Sequence, residues 1–170
     1  MSLELITSLR ATRTFAAAPV QDAHVMAVLE AGRWAGSARN RQPWRFAAVR
    51  DRALLRELSR LGAYAGHLAG APVAILLAVD ATVSTQDAEF DAGRAAQNIM
   101  LAAHTLGLGT CPASFFPAAN AGKATALAGL HEPWHVRTAI SLGHPAPAPP
   151  GTSAIPRGRR PLRELVIERF

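Results

Sequence analysis

A single cysteine, Cys111, stands among 170 residues, so no intrachain disulfide can form. That suits a reducing compartment, and the cytoplasm is expected. Long hydrophobic runs are also missing. The longest, Pro72 to Val79, is strand-sized, well short of the roughly 20 apolar residues that cross a bilayer. No cationic start leads into an apolar stretch, so neither an export signal nor a membrane partner is expected. Aromatics are scarce at 6%, and alanine does much of the apolar work. A core rich in alanine lets elements approach closely but buries little area per residue, so a partner chain is expected to complete it. Lysine is nearly absent: of 18 basic residues 17 are Arg, with Lys123 the exception.

Enough hydrophobic character remains, 49% of residues against 18% charged, to bury a core within one domain. The net charge of +6 could attract nucleic acid. It could equally serve phosphate-bearing cofactors, for which the guanidinium fork is shaped. The arginines are scattered over several elements without an aromatic-and-basic strand pattern, so no nucleic-acid partner is expected.

Apolar spacing predicts helices over Ser2 to Arg10, Asp22 to Trp34, Arg52 to Leu61, Phe90 to Leu106 and Asn120 to Leu130. Asp22 and Asp51 are placed to cap the second and third. Trp44 to Val49 and Val136 to Leu142 read as strands. Pro72 to Val79 reads as a central strand buried on both faces, and Leu108 to Phe116 as a strand or extended loop. Gly143 to Pro156 carries five prolines and is expected to be an arm on a surface. Strands interleave with helices throughout, which argues α/β or α+β.

Four constellations could carry chemistry. Arg10 and Arg13, three apart at a helix end, could grip one phosphate; they could equally line a solvated face. Ser37, Asn40 and Gln42 in the loop before Trp44 offer carboxamides and a hydroxyl, suited to sugar hydroxyls and a heteroaromatic edge. Asp91 to Asn98 runs on to Gly107, Gly109, Cys111 and Pro112, where small residues allow close helix packing and close approach of backbone to a ring. Arg157, Arg159 and Arg160 sit between the proline arm and a short apolar tail, as held arginines would. Six histidines show no metal-ligand spacing: His131 and His135 are four apart, but Pro133 lies between them. No metal is expected, and Cys111 reads as a small buried hydrophobe.

Taken in this order, the sequence resembles the nitroreductase family of FMN-dependent oxidoreductases over nearly its whole length. Trp34 to Phe46 is close to the family's "APSxxNxQPWxF", and Gly143-His-Pro145 with Arg157 to Val166 is similar to its closing "GxP…KxRxPLEELV". The resemblance implies an α+β three-layer sandwich. Its central mixed or antiparallel sheet would be flanked by helices in one domain, residues 1–170, with residues 143–170 forming an arm on the partner of an intertwined homodimer.

It also implies two FMN molecules at the dimer interface, NADH or NADPH as electron donor, and a small acceptor such as a nitroaromatic or quinone, reduced in ping-pong fashion. Arg10 and Arg13, completed by Arg157 and Arg159, would hold the phosphate. Ala11 stands where the family often carries Ser. Ser37, Asn40 and Gln42 would meet the ribityl chain and ring, partly from the other subunit, and Pro112, Ala113 and Ser114 would lie against the flavin. No side chain is assigned as acid or base. The alternative is an FMN-binding carrier or sensor without turnover, because the chain leaves little room for the helical insertion that walls the substrate channel in many members.

Overall fold

The computed structural model describes residues 3–83, 85–148 and 158–167. Its centre is a four-stranded sheet ordered β1-β2-β4-β3, built from β1 (Trp44–Val49), β2 (Val73–Asp80), β3 (Gly109–Ser114) and β4 (Trp134–Gly143), with every neighbouring pair antiparallel. β2 is buried along almost its whole length. Its alternating side chains split between two cores, as the period of a strand requires. Ala74, Leu76 and Ala78 meet the layer holding α3 (Arg52–Leu58) and α5 (Ala118–Leu127). Val73, Ile75 and Leu77 meet the layer holding α2 (Asp22–Arg33) and α4 (Thr85–Thr105). Helices thus cover both faces of the sheet, and the three-layer α+β architecture expected from the sequence is what the chain adopts.

The alanine-rich composition is spent on close approach. At Gly32 of α2 an added Cβ would stand 2.8 Å from Ile99 Cγ1 on α4 and 3.1 Å from Phe46 Cζ. Alanines 88, 92, 95, 96 and 103 of α4 are buried along the same contact and beyond it. The last of the four strands' helical neighbours, α5, is anchored by Asn120, whose side-chain amide donates to the Leu61 and Phe116 carbonyls.

Several boundaries differ from expectation. The first helix, α1 (Leu3–Ser8), stops before Arg10, and none of its residues is buried. Asp22 does not cap α2: the N-cap is Gln21 without a side-chain bond, and the Asp22 carboxylate pairs with Arg50 at 2.7 Å. Asp51 does cap α3, accepting from Leu54 N at 2.7 Å. α4 begins at Thr85, five residues ahead of Phe90, because Ala88 and Ala92 bury a small cluster against Val79 that local hydropathy underweights. No helix among the described residues is long and apolar enough to cross a membrane.

Replacing Gly32 by Val should force α2 from α4. A loss of about 1–3 kcal/mol is expected from overpacking, read as a lower urea midpoint at unchanged slope.

Candidate functional site

The outer edge of β3 is the first element of the site. After α1 the chain runs extended beside β3: Ala11 bridges Thr110 in parallel, and Thr12 N donates to Thr110 O at 2.8 Å. Gly109 permits this approach, since an added Cβ would stand 2.5 Å from Thr12 Oγ1. Arg10 and Arg13 therefore lie outside the helix, and helical spacing no longer puts them on one face. Arg10 donates back to the carbonyls of Thr7 at 2.6 Å and Leu9 at 2.8 Å, closing the end of α1. Arg13 is exposed and has no carboxylate partner among the described residues.

Beyond the bridge, the edge of β3 is open. Phe115 N donates inward to the Arg137 carbonyl at 2.8 Å, so by alternation the Ser114 N–H points outward. It has no backbone partner among the described residues. Pro112 offers no N–H on this edge, as an edge strand tolerates. Pro112 and Ser114 are exposed, whereas Ala113 is buried in the α3–α5 core. Ala113 offers the edge neither its side chain, which faces the core, nor its N–H and C=O, which by the same alternation point toward β4 opposite Ala139.

Beneath this edge lies a polar group that the sequence did not single out. His67, in the 3-10 turn Gly66–Gly70, has Nδ1 at 2.8 Å from Ser141 Oγ, and that hydroxyl donates to the Cys111 carbonyl at 3.2 Å. Ser141 is fully buried. His67 Nε2 is buried without a hydrogen-bond partner. Burial first, then the positive charge of Arg13, push the imidazole below its ordinary range, opposed by the nearby Pro112 carbonyl. Burial raises the Cys111 thiol and Arg13 opposes the rise, so Cys111 is a buried thiol with little thiolate character. No sequence pattern marks His67, which is one His before an apolar strand.

The second element is the loop carrying Ser37, Asn40 and Gln42. Arg39, Asn40 and Gln42 all have positive φ, at 53°, 54° and 50°. Asn visits this region readily, but Arg and Gln store strain of about 1 kcal/mol or more each. Three bonds hold the shape: Ala38 N donates to Asp91 Oδ2 at 2.9 Å, Gln42 N to Ser37 Oγ at 2.9 Å, and Gln42 Nε2 to Asn40 Oδ1 at 3.1 Å. Asp91 is 2% exposed on α4, with Arg94 at 3.7 Å. The sequence reading gave this stretch of α4 a packing role only. Asp91 also fastens the loop, and an acidic residue inside a run of Ala and Gly is the signal that could have marked it.

Within one protomer these elements do not meet. The Ser37–Gln42 loop leads into β1 and the Arg13–Ser114 edge belongs to β3, at opposite margins of the sheet. Three strand spacings, about 14 Å, separate those margins. Arg159 is exposed and donates to the Gly158 carbonyl at 3.0 Å, within its own segment. Arg157 lies outside the described residues.

The nitroreductase family model matches residues 6–62 and 59–144. A curated Archaeoglobus fulgidus protein bearing the name "Putative NADH dehydrogenase/NAD(P)H nitroreductase" is 33% identical over 147 residues, covering 84% of each chain. Among solved structures, a "putative nitroreductase in complex with fmn" from Desulfovibrio desulfuricans has a TM-score of 0.84 at 33% identity, covering 98% of this chain and 95% of that one. The NADPH:FMN oxidoreductase of Vibrio harveyi, complexed with NAD+, has a TM-score of 0.84 at 27% identity, covering 98% of this chain and 76% of that one.

Two outcomes follow from the geometry. Asp91→Ala orphans the Ala38 N–H and should cost about 1–3 kcal/mol, measured by urea unfolding. For His67, the folded imidazole protonates less readily than the unfolded one, so the unfolded state binds the extra proton as pH falls. Stability should be complete above the ordinary imidazole value of 6.5 and fall below it. Urea midpoints of the wild type and His67→Gln should therefore converge between pH 7.5 and pH 5, as order-of-magnitude bounds on the window.

Proposed function

The chain belongs to the nitroreductase family, and from that premise we propose that it is an FMN-dependent NAD(P)H oxidoreductase acting as a homodimer on a small nitroaromatic, quinone or related acceptor. When bound, FMN would supply the redox chemistry between the nicotinamide and the acceptor. The protein binds and orients it.

The observation that carries this reading is the open β3 edge beside Arg13. The Arg13 guanidinium, exposed and without a carboxylate partner among the described residues, flanks a strand edge that carries an outward Ser114 N–H, and such donors suit a phosphorylated heteroaromatic. Arg13 would hold the phosphate, aided by Arg10 and by Arg157 and Arg159 of the arm. Ala11 brings only backbone there. Pro112 and Ser114 would meet the ring along their main chain, with the Ser114 N–H directed at a ring heteroatom.

Ser37, Asn40 and Gln42 can reach the same cofactor only from a second copy, since their own protomer holds them at the far margin of the sheet. Exposed apolar side chains support that assembly: Leu3 and Ile6 on α1, Met26 on α2, and Leu162, Leu165, Val166 and Ile167 near the end of the chain. In this reading residues 1–170 form one domain; the arm expected at residues 143–170 begins on its own chain, where Gly143 ends β4 and residues 144–146 pair with residues 14–16, so only the part beyond would lie on the partner. Ping-pong kinetics follow if donor and acceptor use the same ring in turn.

The purified protein should be yellow, with oxidised-flavin absorbance that bleaches anaerobically with NADH or NADPH. Arg13→Glu combined with Arg159→Glu should lose the bound flavin while the far-ultraviolet circular dichroism stays as in the wild type. Unchanged flavin content in that variant refutes the phosphate assignment.

A further inference from the structure

The Ser37–Gln42 loop carries two side chains that the fold does not use. Arg39 and Arg41 are exposed on either side of Asn40. Among the described residues neither guanidinium has a hydrogen bond, an ion pair or a ring contact. Nearby carboxylates do not neutralise them. Glu30 on α2 is committed to Arg33 and to Trp34 Nε1. Asp91 on α4 is buried, accepts from Ala38 N and has Arg94 at 3.7 Å. The Arg94 guanidinium lies against the base of the loop, with one nitrogen 2.5 Å from where a Cβ on Gly36 would stand. Arg45, just inside β1, sits over the Trp134 ring at 4.2 Å and beside Asp80. Asp87, one turn before Asp91, is exposed and forms no ion pair among the described residues. The loop itself holds no acid, so its own surface is positive.

The backbone gives a second, independent observation. Arg39 has φ 53° and ψ 26°, in the left-handed region. Asn adopts that conformation more readily than Arg. No contact of the Arg39 side chain offsets the strain of about 1 kcal/mol or more. The main chain is fixed on both sides, since Asn40 N donates to Ser37 O at 3.0 Å and Arg41 N to Ala38 O at 3.2 Å. Two guanidinium groups two residues apart thus rise from a rigid base. A strained arginine is kept where the fold alone would be served better by another residue, and such outliers cluster at ligand sites.

A pair of guanidinium forks suits a phosphomonoester dianion, which can accept from both. NADH and NADPH differ by one such group, the 2′-phosphate on the adenosine ribose. In the homodimer proposed above, this loop is the part of one chain that reaches the cofactor of the other. We propose that Arg39 and Arg41 bind the 2′-phosphate of NADPH and so make it the preferred electron donor over NADH. The inference rests on the oxidoreductase reading and deepens it by choosing between the two donors and naming the residues that choose.

The test uses the flavin-loaded protein and a double variant, Arg39→Asn with Arg41→Gln. KM for NADPH should rise about tenfold or more in the variant. KM for NADH, kcat with either donor and flavin content should stay as in the wild type. By calorimetry the wild type should bind adenosine 2′,5′-bisphosphate more tightly than adenosine 5′-monophosphate, an advantage that shrinks as salt is raised. The variant should bind the two alike. Because Asn relieves the left-handed strain, the urea midpoint of the variant should not fall, whereas a purely structural role for these arginines requires that it does. No preference of the wild type for NADPH, or an equal rise in KM for both donors, would overturn the proposal. So would loss of flavin from the variant, which would assign the two arginines to the cofactor's own phosphate. Absence of flavin from the purified wild type refutes the oxidoreductase reading instead. The calorimetry then decides the phosphate subsite alone, and equal binding of the two nucleotides by the wild type overturns it.

Discussion

The width of the sheet governs everything else. Four strands place the strained Ser37–Gln42 loop and the open edge of β3 on opposite margins, and the rigid, doubly covered β2 between them cannot fold those margins together. Polar groups held about three strand spacings apart would serve one ligand only if two chains supplied them. In the homodimer proposed above, a two-fold axis would let each chain offer its β3 edge to one ligand and its loop to the other, both sites arising from a single self-complementary contact. The sparse aromatic content has the same logic, since a chain that buries little area per residue gains by sharing its apolar α1 face and tail with a copy.

Rigidity at the two margins is achieved differently. The loop is held in left-handed backbone by one bond to a buried carboxylate on α4 and two within itself, so in the proposed site its carboxamides would be oriented before a ligand arrives and less ordering entropy would be lost on binding. The β3 edge is held from beneath. Ser141 joins the 3-10 turn to the strand through His67 and the Cys111 carbonyl, and a fully buried hydroxyl between two strands and a turn leaves each little freedom to shift.

Much of the fold was legible because its signals are local and periodic. The apolar run Pro72 to Val79 reads as a strand covered on both faces and β2 bears it out over Val73–Asp80, and Asp51 is a cap that the structure uses as written. The departures share a cause. Asp22 was displaced from capping by a long-range ion pair with Arg50, and the early start of α4 depends on Val79, which is near it only in three dimensions. Residue types with a motif were named as site candidates from the sequence: Arg13, Ser37, Asn40, Gln42 and the Pro112–Ser114 stretch. His67, Ser141 and the fastening role of Asp91 were not, because each acts through partners far away in sequence. The relation between the two margins was equally hidden, since strand order is not written in any one segment.

Pro112 has a further consequence for the chain on its own. In the single chain, the outer edge of β3 beyond the Ala11 bridge is an exposed strand margin of the kind that recruits other strands into aggregates. A residue with no amide hydrogen at the middle of that margin interrupts the ladder an incoming strand would need. The residue proposed to lie against a flat ligand would thus also hinder single chains from sticking to one another along their sheets.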